Sequence, residues 1–202
     1  MPSGPSGIDP HFDYAHEILR NIPGYSDQAK LDRFEAGESA DALVRLQVSP
    51  IQGAFDRAHL KEIHFRIFRN NYPWAGEFRQ VNLRRSSSYF FAVVQFIKKN
   101  LDRTFAELAA EKHLRDLNAD SFSSRAAYYL GELNSIHPFL EGNGRTQREF
   151  IRQLASEAGH GLNWGRVTQK QMYDASIESH NLRKNAGFAA LIASAILPVR
   201  RR

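Results

Sequence analysis

Between residues 137 and 148 the sequence reads HPFLEGNGRTQR, which brings a histidine, a carboxylate, a glycine-rich turn and two arginines together. The helical spacing that follows, with Phe150, Ile151, Leu154 and Ala158 on one side and Gly159 as a stop, predicts a helix from about 142 to 158. A helix start has free N–H groups and the positive end of its dipole. Glycines at 142 and 144 let the backbone approach an anion closely. Residues 142–144 therefore read as a phosphate cradle. Arg145 and Arg148 are three apart, so they share a face and can reach oxygens further along the same polyphosphate. Arg152 continues that face, where solvation alone explains it. Glu141 sits just before the cradle and would repel bound phosphates unless a cation lay between, and Mg²⁺ suits a carboxylate facing phosphate oxygens. His137, whose ordinary pKa is about 6.5, is the one obvious proton acceptor here for a hydroxyl nucleophile. The set predicts transfer of part of a nucleotide to an alcohol. Taken singly, each piece has a plainer reading as a helix end, a turn or a solvated face; the joint spacing is what favours chemistry.

The elements that must position this stretch are mostly helical. The segment DPHFDYAHEILRN, residues 9–21, is expected to hold a short first helix. A second helix is expected over 26–47 with Ser26 as cap, and a third over 56–70 with Leu60, Ile63, Ile67 and Phe68 on one stripe. Pro73 and Gly76 then break the pattern. A β-branched and aromatic segment split by a polar tip predicts a β-hairpin over 77–92, the only strand signal in the chain. Helical spacing returns through Phe96, Leu101, Phe105 and Leu108. It continues over 121–136, capped at Ser121 or Ser123 and ending at His137, and two more helices are expected near 168–181 and 186–197. The fold class is all-α with one small β-hairpin.

The HPFLEGNGRTQR stretch resembles the signature of the Fic domain family: His-Pro-Phe, any residue, Asp or Glu, Gly-Asn-Gly-Arg, two residues and Arg. Every specified position is filled. Upstream, IHFRIFRNNYPWAGEFRQVNL is similar to the family's helix and its entry into a flap hairpin, so the likeness covers about residues 55–195. The resemblance implies a protein adenylyltransferase that moves AMP from ATP to a Ser, Thr or Tyr hydroxyl of a target protein. It implies His137 as general base, Phe139 as the loop's anchor and Glu141 as the ligand of an Mg²⁺ that bridges the α- and β-phosphates. Gly142, Asn143 and Gly144 would form the anion nest, Arg145 would brace the β-phosphate, and Arg148 the γ-phosphate. Tyr173 falls near the family's adenine pocket, though it is equally consistent with core. Family flaps often carry a lysine and glycines at the tip with a proline soon after, whereas RRSSSYFFAVV has neither glycine nor proline. Arg84 or Arg85 stands in for the lysine, and Phe90 or Phe91 for the aromatic that clamps a target docked by strand addition.

Two features of the resemblance bear on regulation and on alternatives. Many relatives carry an inhibitory helix in which a Ser or Thr is followed, after three residues, by Glu and then Gly or Asn. Here the only Glu followed by Gly or Asn is Glu141 itself. That absence implies a small antitoxin-like partner supplying the glutamate in trans beside Arg148, or a catalytic piece of a longer effector delivered into another cell. Relatives also use other nucleotides, remove AMP, or transfer phosphate or phosphocholine; the intact GNGR speaks against the kinase-like branch.

Composition sets outer limits. With 202 residues, 42% of them hydrophobic, the chain suits one domain, here 8–202, after a flexible leader or cloning remnant MPSGPSG at 1–7. No apolar run is long enough to span a membrane, and the start has neither the basic nor the apolar region of a secretory signal. The absence of cysteine excludes disulfides and a thiol nucleophile and fits a reducing cytosol, bacterial or that of a host. The net charge of +5 raises a third reading, a non-enzymatic basic module for nucleic acid. Basic and acidic residues are interleaved, however, so nucleic acid is not expected as the main ligand.

Overall fold

The computed structural model describes residues 9–84 and 90–198. Seven helices order the described chain: α1 (Gln28–Val48), α2 (Arg57–Phe68), α3 (Ile97–Ala110), α4 (Ala119–Ile136), α5 (Asn143–Glu157), α6 (Gln169–Leu182) and α7 (Ala186–Ala195). The mainly helical class expected from the sequence is what forms.

The helix starts follow capping chemistry, with some reassignment. Asp27, not Ser26, caps α1 by accepting from the Lys30 N–H, and Asn118, three residues before Ser121, caps α4 by accepting from the Ser121 N–H. Ser123 lies inside α4, where its hydroxyl donates back to the Ala119 carbonyl. Thr168 and Gln171 close a reciprocal capping box at the start of α6.

The first helix expected from the sequence does not form. Residues 12–19 make a two-stranded antiparallel hairpin instead, β1 (Phe12–Asp13) paired with β2 (Ile18–Leu19), with Phe12 opposite Leu19. Asp13 explains the difference: its carboxylate accepts from the Ala15 N–H two residues on and bonds His16, which offers the backbone a turn in place of a helix. Strand signal is thus not confined to residues 77–92. Across that flap region an isolated antiparallel bridge joins Arg84 to Phe90, and the Phe91 N–H donates to the Leu83 carbonyl at 3.3 Å. Residues 85–89, which carry Arg85 and the tip, lie outside the described residues.

α4 is the hub of the packing, touching α7, α5, α6 and α3, while α2 bridges α1 and α5. Its buried face supplies Phe122, Tyr129, Leu130 and Leu133, and α5 meets it with Phe150, Ile151 and Leu154. Each such side chain contributes about 1.5–3 kcal/mol by leaving water, so the junction between α4 and α5 is anchored on both sides. A small separate cluster of Val81, Leu83 and Phe91, with Leu140 against it, seats the flap's base on that junction.

Candidate active site

The loop between α4 and α5 places the residues of the 137–148 stretch. His137 caps α4 in the left-handed conformation (φ 49°, ψ 62°), so the chain leaves the helix sharply at the imidazole. Such backbone costs a non-glycine residue about 1–2 kcal/mol, though histidine tolerates it better than most. Phe139 is buried, its ring stacked on His64 at 3.9 Å between centroids. His64 in turn ties the loop to its surroundings. Its Nδ1 accepts from the Gly76 N–H at 2.8 Å, which leaves Nε2 to donate to the Glu141 carbonyl at 3.1 Å. Burial pushes His64 down to about 3, so the ring stays neutral and keeps this tautomer.

Asn143 closes the loop on itself: its side-chain oxygen accepts from the Phe139 N–H at 2.9 Å, and its amide donates to the Phe139 carbonyl at 2.8 Å. Its side chain is therefore a clamp, and only its backbone is available to a nest. Gly142 has φ +77°, and a Cβ there would come within 2.2 Å of the Phe68 ring. Both conformation and space demand glycine. Gly144 is exposed and its backbone is ordinary helix, and a Cβ there would meet the Arg148 guanidinium at 3.3 Å.

The two arginines differ. Arg145 donates to the Glu35 carboxylate at 2.5 Å and to the Ser39 hydroxyl at 3.1 Å, lies 3.5 Å from Glu141, and stacks over Phe68 at 4.7 Å. Tyr72 donates to the same Glu35 carboxylate. Arg148 has no ion pair or side-chain hydrogen bond among the described residues. Burial, then the neighbouring Arg145, lowers its pKa, so the guanidinium sits in a site short of negative charge. Arg152 is neither solvated nor available: it forks onto the buried Glu149 and donates to the Leu46 carbonyl.

Glu141 accepts from the Gly142 N–H at 2.7 Å. Desolvation in the concave site raises its carboxyl above the usual range, with Glu35 and Asp32 pushing the same way against the Gly142 N–H and Arg145. Among the described residues, no group of three or more His, Cys, Asp or Glu side chains converges on one point. An Mg²⁺ at Glu141 would complete its shell with phosphate oxygens and water, which suits that ion's habit.

These groups open on a cavity of about 770 Å³ lined by His137, Glu141, residues 142–145 and Arg148, and further out by Trp164, Met172 and Tyr173. The volume lies in the range of nucleotide-sized sites. Tyr173 is 62% exposed and belongs to the cavity wall, not to the core. The flap's two aromatics part company. Phe90 is 53% exposed, with the Arg84 guanidinium over its ring at 4.9 Å, whereas Phe91 is 5% exposed and stacks on the His137 imidazole at 3.8 Å.

A family model described as Fic/DOC matches residues 54–155, half of the chain. The chain belongs to the Fic/DOC family. A protein adenylyltransferase of Bartonella schoenbuchensis is 45% identical over 85% of this chain, which spans only 36% of that relative's length. A probable protein adenylyltransferase of Sinorhizobium fredii is 37% identical over 80% of this chain and 83% of its own. Among solved structures, the BepC effector of Bartonella tribocorum with bound AMPPNP superposes with a TM-score of 0.87, at 26% identity, over 94% of this chain and 97% of that one. In the Fic loop of this chain, His64, Arg79 and Glu35 are structural partners that no local motif announces, since they come from 58 to 110 positions upstream of the groups they hold.

Proposed function

We propose that this chain is a protein adenylyltransferase that transfers AMP from ATP to a hydroxyl side chain of another protein. The observation that carries the reading is the convergence, in one nucleotide-sized cavity, of the His137 imidazole, the Glu141 carboxylate, the α5 N-terminus and the unpaired Arg148. The relatives named as adenylyltransferases and the AMPPNP carried by the Bartonella tribocorum structure support it.

His137 takes the proton of the target's Ser, Thr or Tyr hydroxyl. The oxygen attacks the α-phosphorus, the bond to the bridging oxygen breaks, and pyrophosphate leaves. Positioning and charge neutralisation carry most of the rate in such a transfer. The backbone N–H groups of residues 142–144 cradle the nearer phosphates, and Arg148 receives the γ-phosphate. Arg145, already engaged by Glu35, braces the loop and reaches the β-phosphate with a damped charge. Glu141 would hold Mg²⁺, which supplies charge neutralisation when bound. Tyr173 borders the adenine end. The exposed Phe90, with Arg84, is the flap aromatic placed to pin a target added as a strand; Phe91, turned inward against His137, is not. Incubating the chain with ATP, Mg²⁺ and a cell lysate, followed by mass spectrometry of modified proteins, tests the reading. AMP-sized additions support it, and phosphate-sized additions would show a different transferred group.

A second groove of about 380 Å³ lies between α1 and α5, lined by Leu43, Gln47, Arg148, Arg152, Leu162 and Trp164. It opens beside Arg148, so a glutamate from an antitoxin-like partner seated there would pair with the cation that recruits the γ-phosphate. The effector neighbours make delivery from one cell into another the companion proposal for where the chain works.

A further inference from the structure

Arg79 is the one arginine or lysine among the described residues to be fully buried, at 4% exposure. No carboxylate among those residues pairs with it. Its guanidinium is spent entirely on backbone carbonyls. Nε donates to His137 at 2.8 Å, Nη1 to Val81 at 2.7 Å, and Nη2 to Ala92 and, at 3.2 Å, to Ile136. Two of these carbonyls belong to the C-terminal end of α4, where the helix dipole favours a cation, and two belong to the two arms of the flap. Backbone bonds run in parallel: the Arg79 N–H donates to Pro138 at 2.9 Å, and the Ala92 N–H to Ser135 at 3.1 Å.

Burying a guanidinium without an anion is costly, and burial pulls this one down to about 10. The held groups suggest what the cost secures. His137 occupies strained left-handed backbone, and its carbonyl is tethered by Nε. Phe91, whose ring lies parallel to the imidazole within 12°, directly precedes Ala92, whose carbonyl is tethered by Nη2. The backbone turn under the imidazole and the ring stacked upon it therefore hang on one guanidinium.

We propose that Arg79 is a positioning residue that locks the base of the flap to His137, so that a target seated on the flap and the imidazole that deprotonates it are set in one frame. The inference rests on His137 acting as the general base. Lysine cannot replace Arg79, because a single ammonium cannot span carbonyls on both flap arms and on α4.

The test compares the intact chain with Arg79→Lys, Phe91→Leu and His137→Ala. AMP incorporation from α-labelled ATP into the proteins of a lysate is followed as a function of ATP. The ring Cε1–H resonance of His137, identified by its loss in His137→Ala, is followed by NMR. Arg79→Lys is expected to lower the plateau rate at least about tenfold while half-saturating ATP stays within about twofold, and to broaden or split the His137 resonance. A wild-type plateau with an unchanged resonance overturns the inference, as does a parallel loss of ATP affinity, which would mark general collapse of the site. If Arg79→Lys does not fold, Phe91→Leu decides: a lower plateau with ATP affinity retained supports the coupling, and a wild-type plateau refutes it. Undiminished labelling by His137→Ala would remove the general base and the inference with it. A silent His137→Ala beside an unimpaired Arg79→Lys refutes the inference alone.

Discussion

Arg145 and Arg148 stand one helical turn apart, yet their surroundings divide their work. Arg145 is held by Glu35, Ser39 and the Phe68 ring, while Arg148 faces the cavity without a partner among the described residues. Truncating Arg145 would strand a largely buried Glu35, so Arg145→Ala is expected to cost about 3 kcal/mol of stability, read as a lower urea midpoint. Arg148→Ala should leave the midpoint nearly unchanged and raise the ATP concentration needed for half-maximal transfer at least about tenfold, since it removes a charge-assisted contact made to the nucleotide. Glu141→Ala is expected to weaken transfer and its Mg²⁺ dependence together; metal-independent transfer by the wild type would contradict the role given to Glu141. The motif residues are legible in the sequence because their function depends on local spacing. What the spacing does not disclose is which of two equivalent-looking arginines is already satisfied, because Glu35 lies 110 positions away.

At the scale of elements, the α4–α5 turn is where conformation and chemistry meet. Gly142 combines φ +77° with a ring edge of Phe68 where a Cβ would stand. Gly142→Ala should therefore lose about 2–4 kcal/mol through backbone strain and overpacking together. Thermal unfolding measures this, and a loss under about 0.5 kcal/mol would show that Phe68 yields freely. The amphipathic helices are legible in the sequence: the Leu60, Ile63, Ile67 and Phe68 stripe is buried, as are Phe150, Ile151 and Leu154. Phe96 is exposed despite its place in the pattern, since α3 begins one residue after it. Residues 9–21 escape the periodic reading because Asp13 offers a competing turn, and the tie that Arg79 makes between the flap's two arms goes to carbonyls and so leaves no trace in residue types.

For the whole molecule, two buried histidines link stability to pH. Desolvation lowers His59 and takes His64 to about 3, both below the ordinary 6.5. As pH falls below 6.5 the unfolded chain takes up protons that the native state refuses, so stability is lost on acidification and is fully present above that pH. Urea midpoints should fall between about pH 7.5 and pH 5, and His59→Gln, which retains a donor toward Gln153, should flatten that slope. Expression of the chain alone is expected to slow bacterial growth, with His137→Ala harmless, because no inhibitory glutamate motif is encoded in its sequence. The most direct test of the central claim uses two labels. Parallel reactions with ATP labelled at the α- or the γ-phosphate, Mg²⁺ and a lysate should mark target proteins from the α-label only, and His137→Ala should abolish that marking while still binding nucleotide. Incorporation from the γ-label, or α-labelling that survives His137→Ala, would contradict AMP transfer through this histidine.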